Sequence, residues 1–259
     1  MAFLQQIQSM AQLLLPAKAP DTTVTNTRSD GYGGLAVNTY LNKKQAVAAE
    51  GTYFVTTNPT PGTAISAGPV VTSYANTAGW FWFQNNNAPG GPNAYIDYLK
   101  IIVSAALGGG TVTNWNFAVI RDVATPLSVQ ITTAHFTTAT PVNVNGGSSL
   151  ASKCIFGYQN ASAASVNVAP SASSAIVGRA SISGGVGLVG DEVVLDFGAT
   201  DPSPIQGLTA ARAAIPARSV GVLPPMSIPP GQQIMIVPWW PTATTSGLSY
   251  EFELTHIER

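Results

Sequence analysis

The chain closes with SGLSYEFELTHIER, and this stretch limits the fold more than any other. Leu248, Tyr250, Phe252, Leu254 and His256 fall on one face, and Ser249, Glu251, Glu253 and Thr255 on the other. That period of two marks a half-buried antiparallel strand. Only three residues follow His256, so the strand is expected to belong to the core. Upstream, Gln233-Ile234-Met235-Ile236-Val237 is apolar on both faces after its first residue, as in a strand covered on two sides. Between them and Met226, Ile228-Pro229-Pro230-Gly231-Gln232 reads as a fixed connection, because prolines donate nothing to a ladder and glycine relieves a tight turn.

Further strands are predicted at residues 52–57, 70–74, 79–84, 94–103, 114–121, 128–133, 154–159, 175–181 and 192–197. Turn signals separate them, including Asn58-Pro59-Thr60-Pro61-Gly62, the Asn, Gly and Pro run at 85–93, and Gly108-Gly109-Gly110. Such spacing suits sandwiches, barrels and jelly rolls. Within 94–103, Tyr95, Asp97 and Leu99 are expected to alternate against Ile96, Tyr98 and Lys100. In NWNFAVIR, Trp115, Phe117 and Val119 share a face. A short helix is predicted at 40–49, closed by Gly51.

Residues 1–15, MAFLQQIQSMAQLLL, place Phe3, Ile7, Met10 and Leu14 at helical spacing with Gln5, Gln8 and Gln12 facing away. Pro16 stops the helix, which is too short to hold its structure alone in water. It has neither the basic start of a signal peptide nor the length of a membrane span. Two readings stay open: a helix packed on its own domain, or an arm docked on a neighbouring subunit. The expected class is all-β, an antiparallel β-sandwich or jelly roll with a short N-terminal amphipathic helix. The division is residues 1–50 as arm and linker, and 51–259 as the β-domain.

Charged residues make up only 9% of the chain, against roughly a quarter in ordinary soluble domains. A surface of Thr, Ser, Asn and Gln suits a protein packed against other subunits, although a secreted β-protein with a bland surface reads the same way. Eleven basic and 12 acidic residues are scattered without a basic stripe, so nucleic acid is not an expected partner. The single cysteine, Cys154, excludes an internal disulfide framework and reads as a buried thiol, compatible with a reducing cytoplasm.

Catalytic groups are scarce. His135 and His256 form no local metal motif, and His256 reads as a satisfied edge residue on an apolar strand face. No nucleophile elbow or phosphate loop is present. Asp191, Glu192 and Asp196 are the best carboxylate group for polysaccharide hydrolysis, but acidic residues at a hairpin serve turns equally well. Trp80, Phe81, Trp82, Phe83, Trp239 and Trp240 would suit sugar stacking if exposed, and a core or a subunit contact if not. Asn160-Ala161-Ser162 matches a glycosylation acceptor and carries little weight without a secretory signal. No catalytic residue, cofactor or metal ligand is expected.

Several pieces in order resemble the jelly-roll cement or decoration proteins on the heads of tailed bacteriophages. They are Tyr95-Ile96-Asp97-Tyr98-Leu99-Lys100-Ile101-Ile102 with the small-residue turn and Trp115 after it, and Thr140-Pro141-Val142-Asn143-Val144-Asn145. Val177-Gly178-Arg179, Val189-Gly190-Asp191-Glu192, Ile228-Pro229-Pro230-Gly231-Gln232, and Tyr250-Glu251-Phe252-Glu253 running to Ile257-Glu258-Arg259 complete the set. Each is a turn or strand pattern, and the order spans residues 50–259. The resemblance implies a non-catalytic virion protein, assembled in the bacterial cytoplasm as a homotrimer and bound to the major capsid protein. Phe3, Ile7, Met10 and Leu14 are the candidate partner-binding residues. The contrasting class is a glycan-binding host-recognition module of a tail or head fibre.

Overall fold

The computed structural model describes residues 43–66, 71–105, 114–122, 136–159, 174–183, 189–198, 218–241 and 248–259. A single helix, α1 (Lys43–Ala49), precedes fourteen strands in this set. They are β1 (Tyr53–Thr57), β2 (Ile65–Ser66), β3 (Phe81–Asn85), β4 (Ala94–Ala105), β5 (Asn114–Asp122), β6 (Phe136–Ala139) and β7 (Val142–Asn143). β8 (Cys154–Gln159), β9 (Ala175–Ser183), β10 (Glu192–Phe197), β11 (Arg218–Leu223), β12 (Ser227–Ile228), β13 (Gln233–Trp239) and β14 (Ser249–Glu258) follow. The predicted helix at 1–15 and strand at 128–133 lie outside the described residues.

Two sheets face each other. The first runs β11-β10-β4-β14-β1-β7, with β12 added on β4 and β2 on β14; the second runs β6-β8-β3-β13-β5-β9. Every pairing is antiparallel except β10 with β11. The class is therefore all-β and sandwich-like. The closing strand β14 is central in its sheet, between β4 and β1. Its alternating face does what the sequence requires: Leu248, Tyr250, Phe252, Leu254 and His256 are all buried. β13 is buried at every position, as its unbroken apolar run predicts.

These inner faces meet in an aromatic layer. Trp80 stacks on Tyr250 with ring centroids 5.1 Å apart, and Trp240 lies 5.0 Å from Trp80 and 5.1 Å from Trp115. Phe252 of the first sheet packs on Phe156 and Phe81 of the second, at 5.0 and 5.9 Å. Burial of each such side chain contributes about 1.5–3 kcal/mol, and favourable ring geometry adds about 0.5–1.5 kcal/mol per pair. This layer joins the sheets.

Two sequence expectations are corrected. β4 does not alternate evenly: Ala94 and Ile96 are buried, then Leu99, Ile101 and Val103. Thr255 pairs with Tyr98 and His256 with Ile96, so Asp97 is an extra residue in the ladder. One inserted residue reverses the phase of everything beyond it. The Asp97 carboxylate accepts from the Tyr53 hydroxyl at 2.7 Å and pairs with Lys44 at 2.8 Å, which holds the bulge outward. The predicted strand at 70–74 is also absent over its described residues, 71–74. Thr72, Ser73 and Tyr74 are exposed there, and among the described residues one ladder-like bond reaches the stretch, from Trp240 N–H to the Val71 carbonyl, 3.0 Å. Strand propensity without a partner and a face to cover does not make a strand.

α1 ends as predicted. Gly51 adopts φ 74° and donates its N–H to the Ala48 carbonyl at 2.9 Å. Asn145 caps the Ala49 carbonyl and Asn143 the Gly51 carbonyl, tying α1 to the strands within one compact unit, Asn42–Arg259.

Trp82 and Met235 point away from the layer between the sheets and are nevertheless buried. Trp82 lies against Gly157 of the neighbouring β8, where an added Cβ would stand 2.8 Å from Cε3. Gly157→Ala is expected to destabilise by about 1–3 kcal/mol through overpacking. Gly146→Ala, where a Cβ meets nothing within 4 Å, is expected to shift the urea midpoint little in either direction.

Candidate functional site

The carboxylates singled out in the sequence do not converge. Asp191 is fully buried and its carbonyl accepts from Val103 N–H at 2.9 Å. Glu192 and Asp196 share the outer face of β10, half-buried, four residues apart. At about 3.3 Å rise per residue that is roughly 13 Å, beyond the approximate 5–9.5 Å of a glycosidase pair. All five tryptophans, Trp80, Trp82, Trp115, Trp239 and Trp240, are buried. No tryptophan ring is presented to solvent as a platform for sugar.

Polar side chains gather in two places. The outer face of the first sheet carries a ladder across β1, β4 and β14. Tyr53 donates to Asp97, Tyr98 donates to Glu253, and Lys100 pairs with Glu253 at 3.0 Å. Burial alone would raise the Glu253 carboxyl, but Tyr98 and Lys100 outweigh it and hold the group below its ordinary value. Partly exposed pairs of this kind contribute little individually.

The second gathering lies between the sheets. β14 turns His256 and Glu258 inward, because residues two apart on a strand share a face. Cys154, the first residue of β8, reaches the same point from the other sheet. The ligand atoms of Cys154, His256 and Glu258 all lie within 4.8 Å of one another, and all three residues are buried. His256 Nε2 stands 3.3 Å from Glu258 Oε1 and 3.2 Å from Ser152 Oγ. Ser152 Oγ donates to Glu258 Oε1 and accepts from Cys154 N–H at 3.0 Å. Asn87 donates to Glu258 Oε2 at 3.0 Å from the turn that follows β3, and its N–H is held by Oδ1 of Asn85, the last residue of that strand. Asn85 Oδ1 is 4.0 Å from Cys154 Sγ.

The electrostatics follow from this enclosure. Burial lowers the His256 pKa despite Glu258, so the ring is neutral near pH 7. Burial and the Glu258 charge both raise the Cys154 thiol, which is protonated. Burial would raise Glu258 too, but hydrogen bonds from His256, Ser152 and Asn87 prevail and bring it to about 2. His256 is thus no edge residue, contrary to expectation: it sits in a central strand between Phe54 and Phe83, ring centroids 5.3 and 5.0 Å away. Among the described residues its Nδ1 has no hydrogen-bond partner. A nucleophile–imidazole–carboxylate relay uses both ring nitrogens. Here serine and carboxylate meet the same nitrogen, so this relay is not formed.

Phe3, Ile7, Met10 and Leu14 lie outside the described residues, as does His135. Sequence inspection missed the Cys154–His256–Glu258 cluster because Ser152 and His256, its linked neighbours, are 104 positions apart. The available signal was chemical: a histidine on an apolar face and a cysteine opening a strand. Among the described residues no helix is long and apolar enough to cross a membrane. No protein-family model, curated protein or solved structure matches the chain.

The cluster gives the fold an acid limit. A His with a depressed folded pKa opposes folding as pH falls below its ordinary 6.5. Glu258 stabilises fully above its ordinary 4.5 and loses that contribution as pH falls towards 2. The melting temperature is expected to fall continuously over this range. Glu258→Gln is expected to flatten the limb between 4.5 and about 2. It is also expected to cost about 1–3 kcal/mol at neutral pH, through loss of charge-assisted bonds. Thermal scans across a pH series check both.

Proposed function

We propose that the chain is a structural protein of a tailed-bacteriophage virion, a jelly-roll cement or decoration protein that binds the assembled capsid and stabilises it without chemistry. The observation that carries this reading is an apolar, weakly charged periphery. Val142 on the edge strand β7 is 61% exposed, and Val144 and Leu150 beyond it are 43% and 53% exposed. Ile176 and Val220, on the edge strands β9 and β11 of the two sheets, are exposed as well. Free-standing sheets guard their edges with charge, proline or bulges. Edges bearing valine and isoleucine, in a chain with 9% charged residues, suit contact with other subunits. The ordered motifs at 50–259 point to the same protein class. The glycan-binding alternative loses its tryptophan platform, since those rings are interior.

In this role the protein binds as a symmetric homotrimer, the closed arrangement that buries identical patches. It bridges neighbouring copies of the major capsid protein. Binding only the assembled shell stabilises that state by mass action. The sequence of residues 1–15 supplies the arm: burial of Phe3, Ile7, Met10 and Leu14 on a sister subunit or on the shell contributes about 6–12 kcal/mol gross, before the ordering cost. No nucleic acid, membrane or cofactor enters this role, and assembly takes place in the host bacterial cytoplasm.

Deletion of residues 1–20 is the test. The truncated protein is expected to keep its β-sheet circular dichroism and cooperative melting, while its co-sedimentation with capsids or its trimeric mass is weakened. A truncated chain that unfolds as a monomer makes the segment part of the core and removes the arm. A full-length chain that stays monomeric at micromolar concentration and never sediments with capsids overturns the function itself.

A further inference from the structure

We propose that Cys154 Sγ, His256 Nε2 and Glu258 Oε1 form a three-ligand site for a zinc ion held between the two sheets. The three groups come from two facing strands, and every ligating atom lies within 4.8 Å of the others. The Nε2–Oε1 separation of 3.3 Å matches the edge of a tetrahedron whose bonds are about 2.0–2.1 Å. A sulfur, a nitrogen and an oxygen donor exclude the hard ions: Mg2+ and Ca2+ seek oxygen shells, whereas thiolate with imidazole suits Zn2+. The fourth position falls to a water, because Ser152 Oγ, 3.2 Å from Nε2, is already engaged as a donor to Glu258 Oε1.

The surroundings already orient the donors. Asn87 holds the far oxygen of Glu258, and Cys154 N–H is fixed on Ser152. Binding needs no oxidant or reductant: Cys154 coordinates as the thiolate and gives its proton to solvent, and His256 coordinates through Nε2 with its ring proton on Nδ1.

One feature limits the affinity. A ligating histidine ordinarily donates its second N–H to an acceptor, and among the described residues His256 Nδ1 has none. Loss of such a partner costs about 10- to 100-fold in metal affinity. The ion acts in this proposal as a clip between the two sheets, bound more weakly than in a site whose histidine is fully supported.

Co2+ titration of the full-length reduced protein, followed by absorption spectroscopy, is the experiment. One Co2+ per chain is expected, with intense visible bands of tetrahedral geometry and a near-ultraviolet thiolate charge-transfer band. Zn2+ should abolish these bands by displacement and raise the melting temperature, whereas Mg2+ should not. Cys154→Ser, checked for folding by circular dichroism, is expected to lose the charge-transfer band and the Zn2+-dependent rise. If folded wild-type protein binds no Co2+, or binds it without the charge-transfer band, the site does not exist. A Zn2+ response retained in folded Cys154→Ser equally overturns it. Should that variant fail to fold, the wild-type spectrum and its displacement by Zn2+ decide alone.

Discussion

The packing of β14 against the second sheet is the contact on which the rest depends. Tyr250 and Phe252 project from a central strand into a layer of Trp80, Phe81 and Phe156, with ring centroids 5.0–5.9 Å apart. The same strand pairs with β4 along its full length and with β1. It therefore supplies both the lateral ladder of one sheet and much of the attachment to the other. Truncation of a buried phenylalanine costs about 3–5 kcal/mol, a large fraction of the roughly 5–15 kcal/mol that holds a typical domain folded. A chain with few charges and many small polar residues has no other device on this scale among its described residues.

Central placement of β14 also explains where the polar chemistry sits. His256 and Glu258 continue the inward face that Tyr250, Phe252 and Leu254 begin, so the strand that builds the core carries an ionisable pair into it. Such groups are tolerated because Ser152, Asn85 and Asn87 close the end of the sandwich around them. The exterior differs. Its charged pairs, Lys44–Asp97 and Lys100–Glu253, hold strands and the bulge in register, and its sheet edges bear valine and isoleucine. The apolar rim is the feature on which the proposed contact role rests.

Much of this was legible in the sequence where one periodicity ran without interruption. Leu248 to His256 and Gln233 to Val237 announce their burial, because a strand's faces are set by alternation alone. The boundaries of β10 and β8 follow from the turns beside them. Asp97 was not legible: a bulge depends on what the opposing strand offers, here Thr255 and His256, and on the Tyr53 and Lys44 groups that receive the carboxylate. Val71 to Tyr74 misled for the same reason in reverse, since its β-branched residues find no ladder. The Cys154–His256–Glu258 cluster lay beyond sequence inspection because the facing of two sheets, and not local spacing, brings it together. Phe3, Ile7, Met10 and Leu14 remain a sequence pattern with a proposed role.

The proposed role is one of position, so the place of the chain in a particle tests it most directly. Electron cryomicroscopy of virions assembled in cells that express this chain is the measurement. The proposed shell-binding role predicts density for the sandwich on the head shell, in symmetric groups that span adjacent capsid subunits. Density confined to a fibre or tail tip, or particles that lack the chain altogether, would contradict it.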